Sequence, residues 1–215
     1  MDRLEAIVEQ IQTDFEARNT ARDLTLRRSR ELIRRCANTI RAVHRGEMEQ
    51  AAELLSLAAQ AAAEMIQDVQ AFPELYHTGY TQDALKEYVE ANATLALVAG
   101  TPLPSPQELN VEYAAYLNGL AEAASELRRH ILDIIRQGHS KRAEQLLAHM
   151  EDIYGYLVTI DFPDAITGGL RRTTDALRAV LERTRADLTT SLRQAQLQAA
   201  LKSLEDRLSE RTHET

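Results

Sequence analysis

Apolar residues recur every three or four positions along most of the chain, a spacing typical of amphipathic helices. Glycine residues and proline-containing segments divide this pattern into about six stretches. We therefore predict helices at about residues 2–44, 47–69, 81–99, 106–137, 140–158 and 164–211. The first is one long or once-broken helix whose apolar positions include Leu4, Ile7, Val8, Ile11, Phe15, Leu26, Ile33, Ile40 and Val43.

The third predicted helix changes character near its middle. Its first half contains Glu87 and Glu90, whereas residues 91–99 carry no charged side chain. Because a helix that is apolar on all sides is typically buried, we expect the two glutamates where this helix enters the interior. In the Pro-rich linker that follows, Ser105 and Glu108 match a capping box, which predicts that the fourth helix begins at Pro106.

The composition supports a helical chain with few turns. The 215 residues include 8 Gly and 5 Pro, about half of the roughly 15 and 11 that average usage would give. Short connections between long helices favour an all-α, antiparallel bundle of about six or seven long helices. We expect one helical domain, residues 1–215, with a C-terminal tail from about 205 to 215 that frays.

The net charge of −8 argues against a nucleic-acid partner until its distribution is considered. Residues 18–45 contain nine arginines and two acids, a local charge of +7, so the rest of the chain carries −15. A basic segment on an otherwise acidic protein can bind phosphate. The alternative is that these arginines pair with the acids of residues 47–68.

The expected location is the cytoplasm, without a membrane partner. The longest uncharged apolar stretch, near residues 91–98, is too short to cross a bilayer, and the first residues lack the basic and apolar regions of a secretory signal. The single cysteine, Cys36, excludes an internal disulfide, and we interpret it as a small core residue.

Carboxylates are the best candidates for chemistry, because the sequence contains no Gly-rich phosphate loop, serine-hydrolase motif or paired-histidine metal motif. Glu87 and Glu90 share one helix face, and Glu122 and Glu126 share another. If the third and fourth helices are neighbours, these four carboxylates could converge on one Mg²⁺ or Mn²⁺. The alternative is a solvated, salt-bridged face, since a chain with 33 acids forms such pairs by chance.

Five segments, taken in order and at their separations, resemble the translin/TRAX family. They are ARNTARDLTLRRSRELI (17–33), AVHRG (42–46), LKEYVEA (85–91), YLNGLAEAASELRR (116–129) and FPDAITGGLRRTTDALRAVLERTRADL (162–188). The resemblance implies a helical protomer that assembles into a closed ring or barrel of six to eight subunits and binds single-stranded RNA or DNA. TRAX-type members are metal-dependent endoribonucleases, and translin-type members bind nucleic acid without the full acidic site.

The resemblance favours a TRAX-like member and assigns roles to particular residues. The EYVEA segment supplies two catalytic glutamates, which correspond to Glu87 and Glu90. Glu122 and Glu126 correspond to the other two acids, although TRAX proteins usually have Asp where this chain has Glu122. The family holds an arginine near its inner surface at the position of Arg18, and we include Arg22, Arg27, Arg28 and Arg30 as candidate nucleic-acid contacts.

Three functions remain open from the sequence. The first is a Mg²⁺- or Mn²⁺-dependent endoribonuclease that cleaves single-stranded RNA inside a homo-oligomeric ring. The second is a non-catalytic binder of single-stranded RNA or DNA. The third is a structural helical oligomer whose arginines pair internally.

Overall fold

The computed structural model describes residues 2–138 and 140–213, which form helices joined by short connections and contain no strand. The predicted all-α bundle is therefore confirmed. In this part of the chain no helix is both long enough and apolar enough to cross a membrane. In chain order the helices are α1 Asp2–Arg45, α2 Met48–Asp68, α3 Pro73–Tyr76, α4 Gly79–Ala99, α5 Pro106–Leu109, α6 Tyr113–Arg136, α7 Ser140–Leu157, α8 Asp164–Thr167 and α9 Leu170–His213.

Helices α4 and α6 lie at the centre of the bundle. Helix α1 packs against α2 and α4, α4 packs against α6, and α6 packs against α7 and α9. One apolar cluster, which includes Leu32, Met65 and Leu85, joins α1, α2 and α4. A second cluster includes Leu127, Leu146 and Leu177 and joins α6, α7 and α9. The uncharged half of α4 is largely buried, as its composition predicts.

Two predicted helix starts were wrong. The capping box at Ser105 forms, with the Glu108 amide donating to Ser105 Oγ at 3.2 Å, but it begins only the one-turn helix α5. Asn110 then adopts a left-handed conformation, and the long helix α6 begins at Tyr113. Near residue 164 the left-handed pair Gly168 and Gly169 separates α8 from α9. Left-handed residues cannot continue a right-handed helix.

Gly119 allows α4 and α6 to approach at backbone distance. A Cβ atom at this position would lie 2.6 Å from the carbonyl oxygen of Lys86 and 2.7 Å from Cβ of Val89. Ala115 and Ala123, one turn to either side on the same face of α6, are buried. The face of small residues on α6 is therefore packed against another helix, and this contact fixes the distance between α4 and α6.

We expect Gly119→Ala to lower the free energy of unfolding by about 2–3 kcal/mol, because the added methyl group overlaps a backbone carbonyl and the Val89 side chain. Urea denaturation would measure the effect. Gly155→Ala in α7 is the matched control, since its Cβ would meet no atom within 4 Å. Alanine favours a helix by about 1 kcal/mol over glycine, so the control should gain stability. Equal stability of the two variants would contradict the close approach.

Candidate metal centre and nucleic-acid interface

Three of the four predicted glutamates lie together where α4 and α6 cross. Glu87 and Glu90 extend from adjacent turns of α4, and Glu122 extends from α6 one turn after Gly119. One carboxylate oxygen of each residue lies within 4.8 Å of the other two. We call Glu87, Glu90 and Glu122 the carboxylate cluster. Its donor set consists only of oxygen atoms, which suits a hard divalent cation.

The carboxylate cluster is costly to the protein when all its members are ionised. Glu90 is only 8% exposed. Burial, together with the nearby charges of Glu87, Glu122 and Glu126, raises its pKa to about 8. Burial also raises the pKa of Glu87. Like charges held this closely in a partly dry place favour either a bound proton or a cation, so near neutral pH the cluster is suited to exchanging a proton for a metal ion.

Lys86 places a positive charge inside the carboxylate cluster. Its Nζ donates a hydrogen bond to Glu122 Oε1 at 2.7 Å and lies 3.7 Å from Glu87 Oε1. Burial disfavours the ammonium form, but the hydrogen bond and charge of Glu122, followed by the charge of Glu87, raise the pKa of Lys86 overall. The ammonium therefore bridges α4 and α6 at the position of the acids.

The fourth predicted glutamate, Glu126, is held beside the cluster by a histidine from α1. His44 Nε2 lies 2.7 Å from Glu126 Oε2, and the imidazole is almost fully buried. The hydrogen bond from His44 is the main cause of the lowered pKa of Glu126. His44 Nδ1 is buried and has no hydrogen-bond partner among the described residues. Glu126 is thus an oriented, ionised neighbour of the cluster, and it does not join the group of three oxygens.

The five predicted arginines do not share one face of α1. At 3.6 residues per turn, Arg18 lies about five turns before Cys36 and Arg22 about four, whereas Arg27 lies about two and a half turns before it. Burial is the main cause that raises the pKa of the Cys36 thiol, and the charges of Glu87 and Glu90 raise it further. Cys36 therefore lies on the side of α1 that is near these two acids. Arg18 and Arg22 therefore continue the face of α1 that is directed towards these acids, and Arg27 lies on the opposite face.

These arginines also differ in their ion-pair partners. Arg28 binds Glu64 and Asp68 of α2, as the internal-pairing alternative expects. Arg18 pairs with Asp14 and Glu74, and both partners are about half exposed. Arg22 pairs with its neighbour Asp23 at 3.1 Å. In the described part of the chain Arg27 and Arg30 are exposed and have no ion-pair partner.

Sequence reasoning missed Lys86 and His44. Both occur in segments that carry the family resemblance, LKEYVEA and AVHRG, but neither had a role there. A lysine one position before Glu87 looks like an ordinary surface residue, and His44 is separated from Glu126 by 82 residues. Only the crossing of α1, α4 and α6 shows their contacts.

The fold and the carboxylate cluster define an all-helical protein with an acidic centre suited to a divalent cation, and proteins of known structure share the helical fold. AfC3PO is 33% identical, with a TM-score of 0.80 over 86% of this chain and 96% of that chain. AfC3PO in complex with duplex RNA is 34% identical, with a TM-score of 0.76 over 86% of this chain and 95% of that chain. The chain therefore belongs to the translin/C3PO family.

Two further relatives extend the comparison. An uncharacterized protein of Methanocaldococcus jannaschii is 28% identical over 194 residues, which are 90% of this chain and 86% of that protein. Apo-NeC3PO shares the fold at 20% identity, with a TM-score of 0.78 over 86% of this chain and 96% of that chain. No family model matches the chain.

Proposed function

We propose that this protein is a TRAX-like, Mg²⁺- or Mn²⁺-dependent endoribonuclease that binds and cleaves single-stranded RNA inside a homo-oligomeric ring. The observation that carries the proposal is the carboxylate cluster, whose three oxygens lie within 4.8 Å of one another. The relative AfC3PO forms a complex with duplex RNA, which supports RNA as the ligand class.

The residues of the cluster fit a hard divalent cation. Opposite ligands of a Mg²⁺ ion lie about 4 Å apart, so small side-chain rotations, or water bridges, suffice to close the cluster around one ion. Glu87, Glu90 and Glu122 would hold it. When bound, the ion supplies neutralising charge for the scissile phosphate and lowers the pKa of a water nucleophile.

The remaining residues would position water and RNA. Glu126 stays ionised because His44 donates to it, so its carboxylate can accept a hydrogen bond from the attacking water. Arg18 and Arg22 would bind backbone phosphates on the same face of α1, at about 27 Å and 21 Å from Cys36 along the helix. Their ion-pair partners are exposed, and such pairs are weak enough to be exchanged for phosphate.

Self-association is part of the proposal, because two helix segments expose apolar stripes. Leu4, Val8, Ile11 and Phe15 follow one face of α1 and are exposed. Leu197, Leu201 and Leu204 follow one face of α9 and are likewise exposed. Stripes with 3- and 4-residue spacing pack against another helix in coiled-coil fashion, and a ring of six to eight copies would cover them. Light scattering of the purified protein measures the number of copies.

The catalytic proposal predicts that purified protein cleaves single-stranded RNA with Mn²⁺ and that EDTA stops the reaction. Glu122→Gln, and separately Glu126→Ala, should reduce the rate by at least about 100-fold, because each removes a charge that contacts the reacting groups. The measurement is gel analysis of an end-labelled RNA, with a DNA of the same sequence and a duplex RNA as comparisons. Equal background rates for wild type and both variants would exclude catalysis.

A non-catalytic binder of single-stranded RNA or DNA is the second candidate. It is favoured by the ammonium of Lys86, which lies beside Glu122 and Glu87 and offsets part of the negative charge that a divalent cation would need. RNA binding that survives Glu87→Ala and depends on Arg18, without cleavage under any divalent metal, would select this candidate.

A further inference from the structure

Lys86 occupies the region between the acids that a divalent cation would need. Its ammonium contacts Glu122 Oε1 at 2.7 Å and lies 3.7 Å from Glu87 Oε1, and its side chain is 22% exposed. It lies on α4, whereas Glu122 lies on α6. The single positive charge of the lysine therefore offsets part of the charge of two carboxylates that belong to the proposed metal site.

An ammonium and a divalent cation compete for the negative charge of these carboxylates. Two positive ions a few ångströms apart repel one another strongly in a partly buried site. The Glu122 carboxylate, which accepts the hydrogen bond from Lys86, also belongs to the proposed metal site. Lysine is a compact charge at the end of a flexible four-carbon stem, so the ammonium can leave the cluster without movement of α4.

We propose that Lys86 is a built-in counter-ion that occupies the carboxylate cluster in the metal-free protein and is displaced when a divalent cation binds. The inference rests on the proposed function, because it concerns the same cluster. Without metal, the ammonium reduces the repulsion between Glu87 and Glu122. Metal binding is consequently an exchange of cations, and a higher metal concentration is required to load the site than the acids alone would need.

The first test measures the reactivity of the lysines. The chain has three, Lys86, Lys141 and Lys202, and the last two are exposed. Acylation by an amine-reactive reagent, followed by mass spectrometry, gives the rate at each position. Lys86 should react more slowly than the other two, and Mg²⁺ should accelerate Lys86 about three- to tenfold while leaving Lys141 and Lys202 unchanged. An unchanged or lower rate at Lys86, under conditions in which Mg²⁺ is bound, would overturn the inference.

The second test measures metal affinity. Lys86→Met keeps the length of the side chain and removes its charge, so the dissociation constant for Mn²⁺ should fall about three- to tenfold. Arg129→Met is the matched control, because Arg129 is exposed and its charge is felt at Glu126 without occupying the cluster. The control should change the affinity by less than about twofold. Calorimetry at constant ionic strength gives both constants, and thermal unfolding verifies that both variants are folded.

The outcomes separate this inference from the proposed function. If wild type binds no Mn²⁺, both fail. If wild type binds Mn²⁺ and Lys86→Met binds it more weakly or equally, the metal site stands and the counter-ion role is wrong. Weaker binding would instead mean that Lys86 is a positioning residue that orients Glu122. An equal gain in Mn²⁺ affinity in Lys86→Met and Arg129→Met would also overturn the inference. It would mean that the affinity depends on the overall charge near the site and not on the ammonium of Lys86.

Discussion

In the absence of divalent metal at pH 8, Glu90→Gln should be more stable than wild type by about 2–4 kcal/mol. The reason is that Glu90 is buried among Glu87, Glu122 and Glu126, and its pKa in the folded protein is about 8. Glutamine has nearly the same shape and carries no charge, so it removes the cost of ionising a carboxyl group in this place.

The pH dependence has a defined sign. Because the pKa of Glu90 in the folded protein exceeds the ordinary glutamate value of 4.5, the stability that its protonated form contributes is fully present below about pH 4.5 and is lost as pH rises to about 8. The stability difference between variant and wild type should therefore be smallest near pH 5 and largest at pH 8. Urea denaturation in EDTA at several pH values measures it. Glu53→Gln, at an exposed position of α2, is the control and should follow the wild-type profile.

The same substitution should remove function while it adds stability. Saturating Mg²⁺ or Mn²⁺ should stabilise wild type by about 1–3 kcal/mol, through preferential binding to the folded state, and should leave Glu90→Gln unchanged. Cleavage of single-stranded RNA should fall at least about 100-fold. If the free energy of unfolding changes with pH in the same way for Glu90→Gln and wild type, Glu90 is not the buried acid with the raised pKa.

Replacing Arg18 and Arg22 together by alanine should weaken binding of single-stranded RNA by about 10- to 100-fold at low salt. Each arginine that contacts a phosphate contributes about −0.7 to the slope of log affinity against log salt for a single strand, so the slope should become less steep by about 1.4. The two residues continue the face of α1 that contains Cys36 and approaches the acids. Fluorescence anisotropy at several salt concentrations measures both quantities.

The double variant Arg27→Ala with Arg30→Ala is the matched control for this prediction. It also removes two positive charges from α1, but these lie about 120–180° around the helix from the face of Cys36. Both arginines lack an ion-pair partner among the described residues, so their replacement leaves no acid unpaired. We expect its affinity to stay within about threefold of wild type. Equal losses of RNA affinity in the two double variants would mean that binding depends on the overall charge of the protein and not on one face of α1.

Helix periodicity predicted most of the fold because it depends on local sequence. Helix α1 extends from Asp2 to Arg45, as the spacing of its apolar residues indicates. The uncharged half of α4 is buried for the same reason. The predicted start of α6 was wrong because a capping box indicates only that a helical turn begins, and not how far the helix continues. The left-handed conformation of Asn110, which ends α5, has no strong signal in the sequence.

The candidate site was only partly predictable. The spacing of Glu87 and Glu90 on one helix determined that they share a face, and the resemblance to the translin/TRAX family indicated Glu122 and Glu126 as partners. The contact of Glu122 with the first pair requires the close approach at Gly119. Lys86 and His44 could not have been assigned, because their contacts join helices that are far apart in sequence.

The sequence by itself determined a helical chain, the burial of its uncharged segments and a basic segment at residues 18–45 on an acidic background, because these depend on composition and on periods of three to four residues. The tertiary structure decided which charges meet. It divided the arginines between paired and unpaired faces of α1, separated Glu126 from the other three acids, and placed an ammonium among them. Helix crossing angles and distances arise from packing between distant segments, and the chemistry of the site depends on those distances.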